Sequence, residues 1–219
     1  MDAAVLDILK REHVPATSFV IGENALTQRS LLTRMVDEGH EVGSHTDTHP
    51  NLATVSDRQV KYELNATQRL FQAFTGRSLR LFRAPYFGDA EPTTADEFGP
   101  ALAAQQRGYI SVGLHVDPDD WKRPGVRAIV GRTIAGVLGG TFGRSGNVVL
   151  LHDAGGNRAQ TVAALPQIID RLRAVGYRFV AVSALAEIPR DAAMPPISSG
   201  DRLAASADLE ASRRWARPG

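Results

Sequence analysis

Residues 147–156 read NVVLLHDAGG: four apolar residues, Val148 to Leu151, run straight into the polar pair His152 and Asp153. A continuous apolar run of this length between turn-forming residues is the pattern of a strand buried on both faces. An amphipathic segment over residues 161–175 follows and stops at Gly176, as a helix ending on a left-handed glycine does. Strand, reactive residues at its C-terminal end, loop, helix: this is one half of a parallel βα architecture.

The same unit recurs along the chain. Residues 2–12 carry Val5, Leu6, Ile8 and Leu9 at helical spacing, and the strand-like ATSFVIG follows Pro15. A helix over 28–38 with Leu31, Leu32, Met35 and Val36 stops at Gly39 and leads into the short strand EVGSH. Ser56 and Gln59 form a capping-box pattern that opens a long helix, striped by Val60, Leu64, Phe71 and Phe74 and closed by Gly76. A strand RLFRAP, a helix near 94–107, a strand YISVGLH and a helix near 125–138 come next; the strand YRFVAVS comes last. Alternation of this kind implies parallel strands joined by right-handed helical crossovers. No glycine-rich phosphate loop follows any strand, which favours a barrel or barrel-like sheet over an open doubly wound one. The series opens on a helix, so the strand that should precede residue 2 is expected to be missing. Residues 190–219, with PRDAAMPPISSGDRL and ASADLEASRRWARPG, read as a linker or disordered tail. The first 189 residues would then be the domain.

Composition narrows the function. The 219-residue chain is 43% hydrophobic and 22% charged with a net charge of +1, so it lacks the basic excess of a nucleic-acid binder. It has no cysteine, which removes disulfides, thiolate metal sites and a cysteine nucleophile. The opening MDAAVLDILK has no basic region before an apolar stretch, so it is not a signal peptide. No uncharged run approaches the roughly 20 residues of a membrane helix.

On this frame the reactive residues gather at strand ends. His45 ends EVGSH, Arg83 ends LRLFR, Asp117 and Asp120 follow YISVGLHV, and His152 with Asp153 ends NVVLLHD. The C-terminal edge is where parallel βα folds build their sites. Each residue alone has a bland explanation: a surface histidine pair, a helix-end arginine, a proline turn with an acidic cluster, a core histidine. Four strands delivering such groups to one edge make those explanations unsatisfactory together. His13 and His40 are expected to complement helix C-termini as cations, and His115, in a strand body, has no assigned role.

These pieces resemble the polysaccharide deacetylases of carbohydrate esterase family 4, which share the NodB homology domain. VPATSFVIGENA (14–25), HTDTH (45–49), RAPYFGD (83–89), DPDDW (117–121) and LLHDAGG (150–156) stand in the family's order over residues 3–188. The resemblance implies a distorted (β/α)7 barrel-like parallel sheet, here with its first strand missing. It implies that His45 and His49 hold a divalent metal, zinc in the first instance, with cobalt or nickel as alternatives; such an ion acidifies a water. Arg83 would orient the catalytic base, Tyr86 would turn its backbone N–H to the developing oxyanion, and Pro85 belongs to the same groove motif. His152 would be the general acid, Asp120 its partner, and Trp121 and Leu150 the walls of the slot for the acetyl methyl. The substrate would be an N-acetylated amino-sugar polymer or oligomer of the chitin, peptidoglycan or poly-N-acetylglucosamine type.

The family's TFDDG-like run, which supplies the base and a third metal ligand, has no counterpart in this chain. Asp47, Asp89 and Asp153 are the conceivable substitutes. Two expectations follow: a deacetylase read from a shortened sequence, or an inactive carbohydrate-binding pseudoenzyme. The tail resembles the linker that joins this domain to a membrane glycosyltransferase domain, which would place the parent protein outside the cytoplasm or at a membrane.

Overall fold

Four short strands pair in parallel: β1 (Thr17–Val20), β2 (Glu41–Ser44), β3 (Leu81–Phe82) and β4 (Ile110–Ser111), in the order β1-β2-β3-β4. Their register runs from Thr17 opposite Glu41 to Val20 opposite Ser44, then Ser44 opposite Phe82 and Phe82 opposite Ser111. The computed structural model describes residues 2–86, 93–140 and 147–215. Parallel strands need long crossovers, and helices supply them. α2 (Gly22–Leu26) and α3 (Arg29–Asp37) join β1 to β2, α4 (Asp57–Thr75) joins β2 to β3, and α5 (Ala95–Gln105) joins β3 to β4. The α/β class and the parallel sheet therefore stand as expected. Beyond β4 the pairing thins. Val116 bridges Val149 in parallel, and the Leu150 amide donates to Val116 O at 2.9 Å.

The expected strand over 177–183 does not form among the described residues. Its backbone is satisfied differently: the Val182 amide donates to Thr17 Oγ1 and the Ser183 amide to Glu41 Oε2, and a short helix, α8 (Val182–Leu185), begins there. Side chains of β1 and β2 take the place of a neighbouring strand.

α4 shows why the helices form where the pattern puts them. Ser56 accepts from the Gln59 amide, and Val60, Leu64, Leu70, Phe71 and Phe74 are all buried on one face. Gly76, at φ 71°, ends the helix in the left-handed conformation that glycine adopts without strain. Only the Ser56 half of the expected capping box is made; the Gln59 side chain points along α4 and donates through Nε2 to Glu63 Oε1 at 2.7 Å. Burying a side chain such as Phe71 or Leu64 contributes about 1.5–3 kcal/mol, so this face is what fixes α4 on the sheet. On the other side, α6 (Val126–Gly139) packs on α7 (Ala159–Ala174) through Ile129, Val130, Ala164 and Ile168, and α1 (Ala3–Glu12) packs on α7 through Leu9 and Ile169.

The linker or tail expected over 190–219 is corrected across 190–215. α9 (Arg190–Ala193) and α10 (Ser199–Trp215) follow α8, and α10 lies against α4. Ala193, Met194 and Ala205 are fully buried. The Ser78 amide donates to Pro195 O, the Arg80 amide to Ala193 O, and the Arg202 guanidinium to the last carbonyls of α4, Ala73 O and Phe74 O. Small and sulfur-bearing apolar residues scattered among prolines gave no periodic pattern, yet they fill a gap under α4. Among the described residues no helix is long and apolar enough to cross a membrane.

Candidate active site

Beyond the end of β2 the chain makes a tight loop, Thr46 to His49, with both Thr46 (φ 68°) and His49 (φ 61°) left-handed. A β-branched residue in this region is strained, so the surroundings must impose it. Gly22 N and Glu23 N donate to Thr46 O and Asp47 O, Glu63 Oε2 accepts from Asp47 N and Thr48 N, and Thr46 Oγ1 accepts from His49 N. A Cβ at Gly22 would displace the Asp47 carboxylate and crowd Thr67 Oγ1.

The loop brings the rings of His45 and His49 to 4.8 Å between centroids, edge to face. His45 Nδ1 lies 2.8 Å from Arg83 O; that carbonyl only accepts, so Nδ1 carries the proton and Nε2 keeps a free lone pair. Burial drives the His45 pKa down to about 3 and pulls that of His49 down as well, so both imidazoles are neutral at physiological pH, as metal ligation needs. The donor set fits zinc, cobalt or nickel as half a clasp. Among the described residues no third histidine, cysteine, aspartate or glutamate completes it.

Opposite stands the second histidine system. Asp120, in a single 3-10 turn (Asp120–Lys122), is fully buried, and its Oδ1 accepts from His152 Nδ1 at 2.8 Å. Its Oδ2 accepts from the His152 amide at 2.8 Å and from Thr161 Oγ1 at 2.7 Å. Burial pushes the Asp120 carboxyl upward, but the bonds from His152 and Thr161 together outweigh it and hold it below the usual carboxylate range. An ionised Asp120 only accepts, which places a proton on His152 Nδ1 and turns Nε2 outward. His45, His49 and His152 line one cavity, so the two systems face each other.

A cavity of about 1420 Å³ runs between them, lined by Tyr86, Trp121, Leu150 and Asp153 among others. Tyr86, left-handed at φ 66° and 71% exposed, meets the His49 ring edge to face at 4.9 Å between centroids. Pro85 and Arg83 are buried behind it. Trp121, about half exposed, carries the Lys122 ammonium over its ring at 4.9 Å. Arg158 fixes this rim by donating to Ala154 O, Gly155 O and Trp121 O.

The structure thus brings together His45, His49, Arg83, Pro85, Tyr86, Asp120, Trp121, Leu150 and His152. Of the three substitute aspartates, Asp153 lines the cavity and accepts from the Asp2 amide at 3.4 Å. Asp47 turns away toward α2, and burial with the nearby Glu63 and Glu23 charges pushes its pKa up to about 6. Asp89 lies outside the described residues. Asp117 closes a turn by accepting from the Asp119 amide. His115 Nδ1 accepts from the Val148 amide and serves the sheet. His40 is a correction: it is buried, its Nδ1 accepts from the Ala16 amide, and burial holds its pKa below the ordinary value, so it is no cationic cap.

Glu63, Thr161 and Arg158 were missed. Glu63 had a signal, a carboxylate inside the apolar stripe of α4; Thr161 and Arg158 act across distances that no local pattern records.

A parallel α/β frame that sets a carboxylate-backed histidine against a neutral histidine pair has the parts that hydrolytic chemistry uses, proton transfer and metal ligation. A family model described as polysaccharide deacetylase matches residues 1–98. The chain is 38% identical over 185 residues to a peptidoglycan-N-acetylglucosamine deacetylase of Bacillus cereus, covering 83% of this chain and 79% of that relative. It is 40% identical over 186 residues to a chitooligosaccharide deacetylase of Sinorhizobium fredii, covering 79% of this chain and 80% of the relative. The crystal structure of the Bc1960 peptidoglycan N-acetylglucosamine deacetylase, in complex with a hydroxamate, superposes with a TM-score of 0.72 at 31% identity. It covers 85% of this chain and 82% of that one. The chain belongs to the polysaccharide deacetylases, carbohydrate esterase family 4, hydrolases of N-acetyl amide bonds.

Proposed function

We propose that this protein hydrolyses N-acetyl groups on amino-sugar polymers or oligomers, of the peptidoglycan or chito-oligosaccharide kind, with a divalent metal held by His45 and His49. The observation that carries the reading is the Asp120–His152 pair, backed by Thr161, facing those two neutral imidazoles across one cavity. When bound, the metal supplies Lewis acidity toward water and the acetyl oxygen.

The chain's own residues do the rest. Trp121 and Leu150 bound the space for the acetyl methyl, and the exposed Tyr86 and Trp121 rings give sugar faces something to pack on. The Tyr86 amide stabilises negative charge on the acetyl oxygen as water adds to the carbonyl carbon. His152 Nε2 takes a proton from the adding water and delivers it to the amine nitrogen as the carbon–nitrogen bond breaks, leaving acetic acid and a free amino sugar. Asp120 holds the resulting imidazole in orientation through Nδ1, and Thr161 with the His152 amide keeps that carboxylate ionised. Arg83, buried just beyond β3, fixes His45 through its carbonyl.

The test is acetate release from chito-oligosaccharides and from peptidoglycan by protein supplied with zinc or cobalt. Release that depends on metal and disappears in His152→Ala supports the reading. Oligosaccharide binding without release overturns it in favour of a carbohydrate-binding pseudoenzyme. The histidine pair's lack of a third ligand among the described residues is the observation on that side.

A further inference from the structure

Glu63 is fully buried on α4, inside the helix's apolar stripe, where an unpaired carboxylate is costly. Four donors converge on it, and three belong to the loop that carries the histidine pair. Oε2 accepts from Asp47 N at 2.9 Å and Thr48 N at 2.8 Å; Oε1 accepts from Thr48 Oγ1 at 2.8 Å. The fourth, Gln59 Nε2 at 2.7 Å, comes from the turn before it on α4 and steadies the carboxylate. The amides it binds are two of the three between His45 and His49, so the carboxylate grips the segment that sets the distance between the rings. The residues around that segment, Thr46 and His49, hold strained left-handed conformations, each costing on the order of 1–3 kcal/mol. From the other side, Gly22 N and Glu23 N bind the Thr46 and Asp47 carbonyls. The backbone is held by donors on one side and by an acceptor on the other, and the acceptor is the single ionisable side chain.

We propose that Glu63 is a positioning residue of the active site: through the Asp47 and Thr48 amides it imposes the loop geometry that lets His45 and His49 bind one metal ion together. The proposal rests on the reading of that pair as metal ligands. Glutamine has the same shape but replaces one acceptor oxygen with an NH2 group, which would face donors. Glu63→Gln therefore releases part of the loop while leaving the apolar packing of α4 in place.

The test uses the copper complex of iminodiacetate, whose chelator leaves coordination positions open for two imidazoles. Wild-type protein is expected to bind it more tightly than His45→Ala, which offers one. Glu63→Gln is expected to weaken binding about 10–100-fold, the usual effect of removing a residue that orients metal ligands, with unchanged far-ultraviolet circular dichroism. Thr48→Val, which deletes one of the four bonds, should weaken it by less, and it carries the test if Glu63→Gln does not fold. Tight wild-type binding with no loss in either variant overturns the proposal alone. Wild-type binding no tighter than that of His45→Ala overturns the metal reading of the pair, and this inference with it.

Discussion

At the scale of single residues, protonation states decide what the site can do, and they leave marks on stability. Asp120 titrates below its ordinary value when folded, so its contribution is present above about pH 4, the unfolded value, and is lost as pH falls through the folded one. Thr161→Val removes a hydrogen bond to that buried carboxylate. It should cost about 1.5–3 kcal/mol at pH 7, a cost that shrinks at pH values where Asp120 is protonated; urea midpoints across pH measure it. His45 works with the opposite demand. Its pKa falls from 6.5 to about 3 on folding, so at pH 7 both states are neutral. Between those values the unfolded chain takes up a proton that the folded one refuses, and stability declines as the solution is acidified. His45→Asn should flatten that decline, read from the same titration of unfolding midpoints.

At the scale of elements, the helices were legible and the late strands were not. α1, α3, α4, α6 and α7 each begin and end within a residue or two of the pattern of apolar spacing, cap and glycine, because local sequence carries those signals. Residues 177–183 carry the same apolar alternation as a strand, yet the Val182 and Ser183 amides go to Thr17 and Glu41, a choice made by distant side chains. The candidate site divides in the same way. Groups at strand ends could be read because a strand end is a local feature; the residues that hold them could not. Arg158 belongs to this second kind. It binds three carbonyls of the loops that carry Trp121 and follow His152. Arg158→Ala should loosen that rim and raise KM for an oligosaccharide about ten-fold, equivalent to about 1.4 kcal/mol of binding. Steady-state kinetics on a defined chito-oligosaccharide would show it, with kcat changed far less.

At the scale of the whole molecule, the segment read as a tail proves to be part of the core. Met194 is fully buried, and its Sδ accepts from the Val42 amide at 3.1 Å. Arg77 reaches Met194 O at 2.7 Å, and the Ile197 amide donates to Gly76 O. Met194→Ala should cost about 2–5 kcal/mol, as other large-to-small core substitutions do, with a matching loss of thermal stability by calorimetry. A change under 1 kcal/mol would contradict the packing.

The position of α10 has a practical edge. It leans on the far half of α4, the helix whose near half carries Glu63. Glu63 and Phe74, eleven residues apart, are about 16 Å from one another along that helix. A fragment trimmed at residue 189 for convenience would thus lose the buttress of the helix that grips the histidine loop. Such a fragment would be scored as catalytically dead when it had only been cut too short.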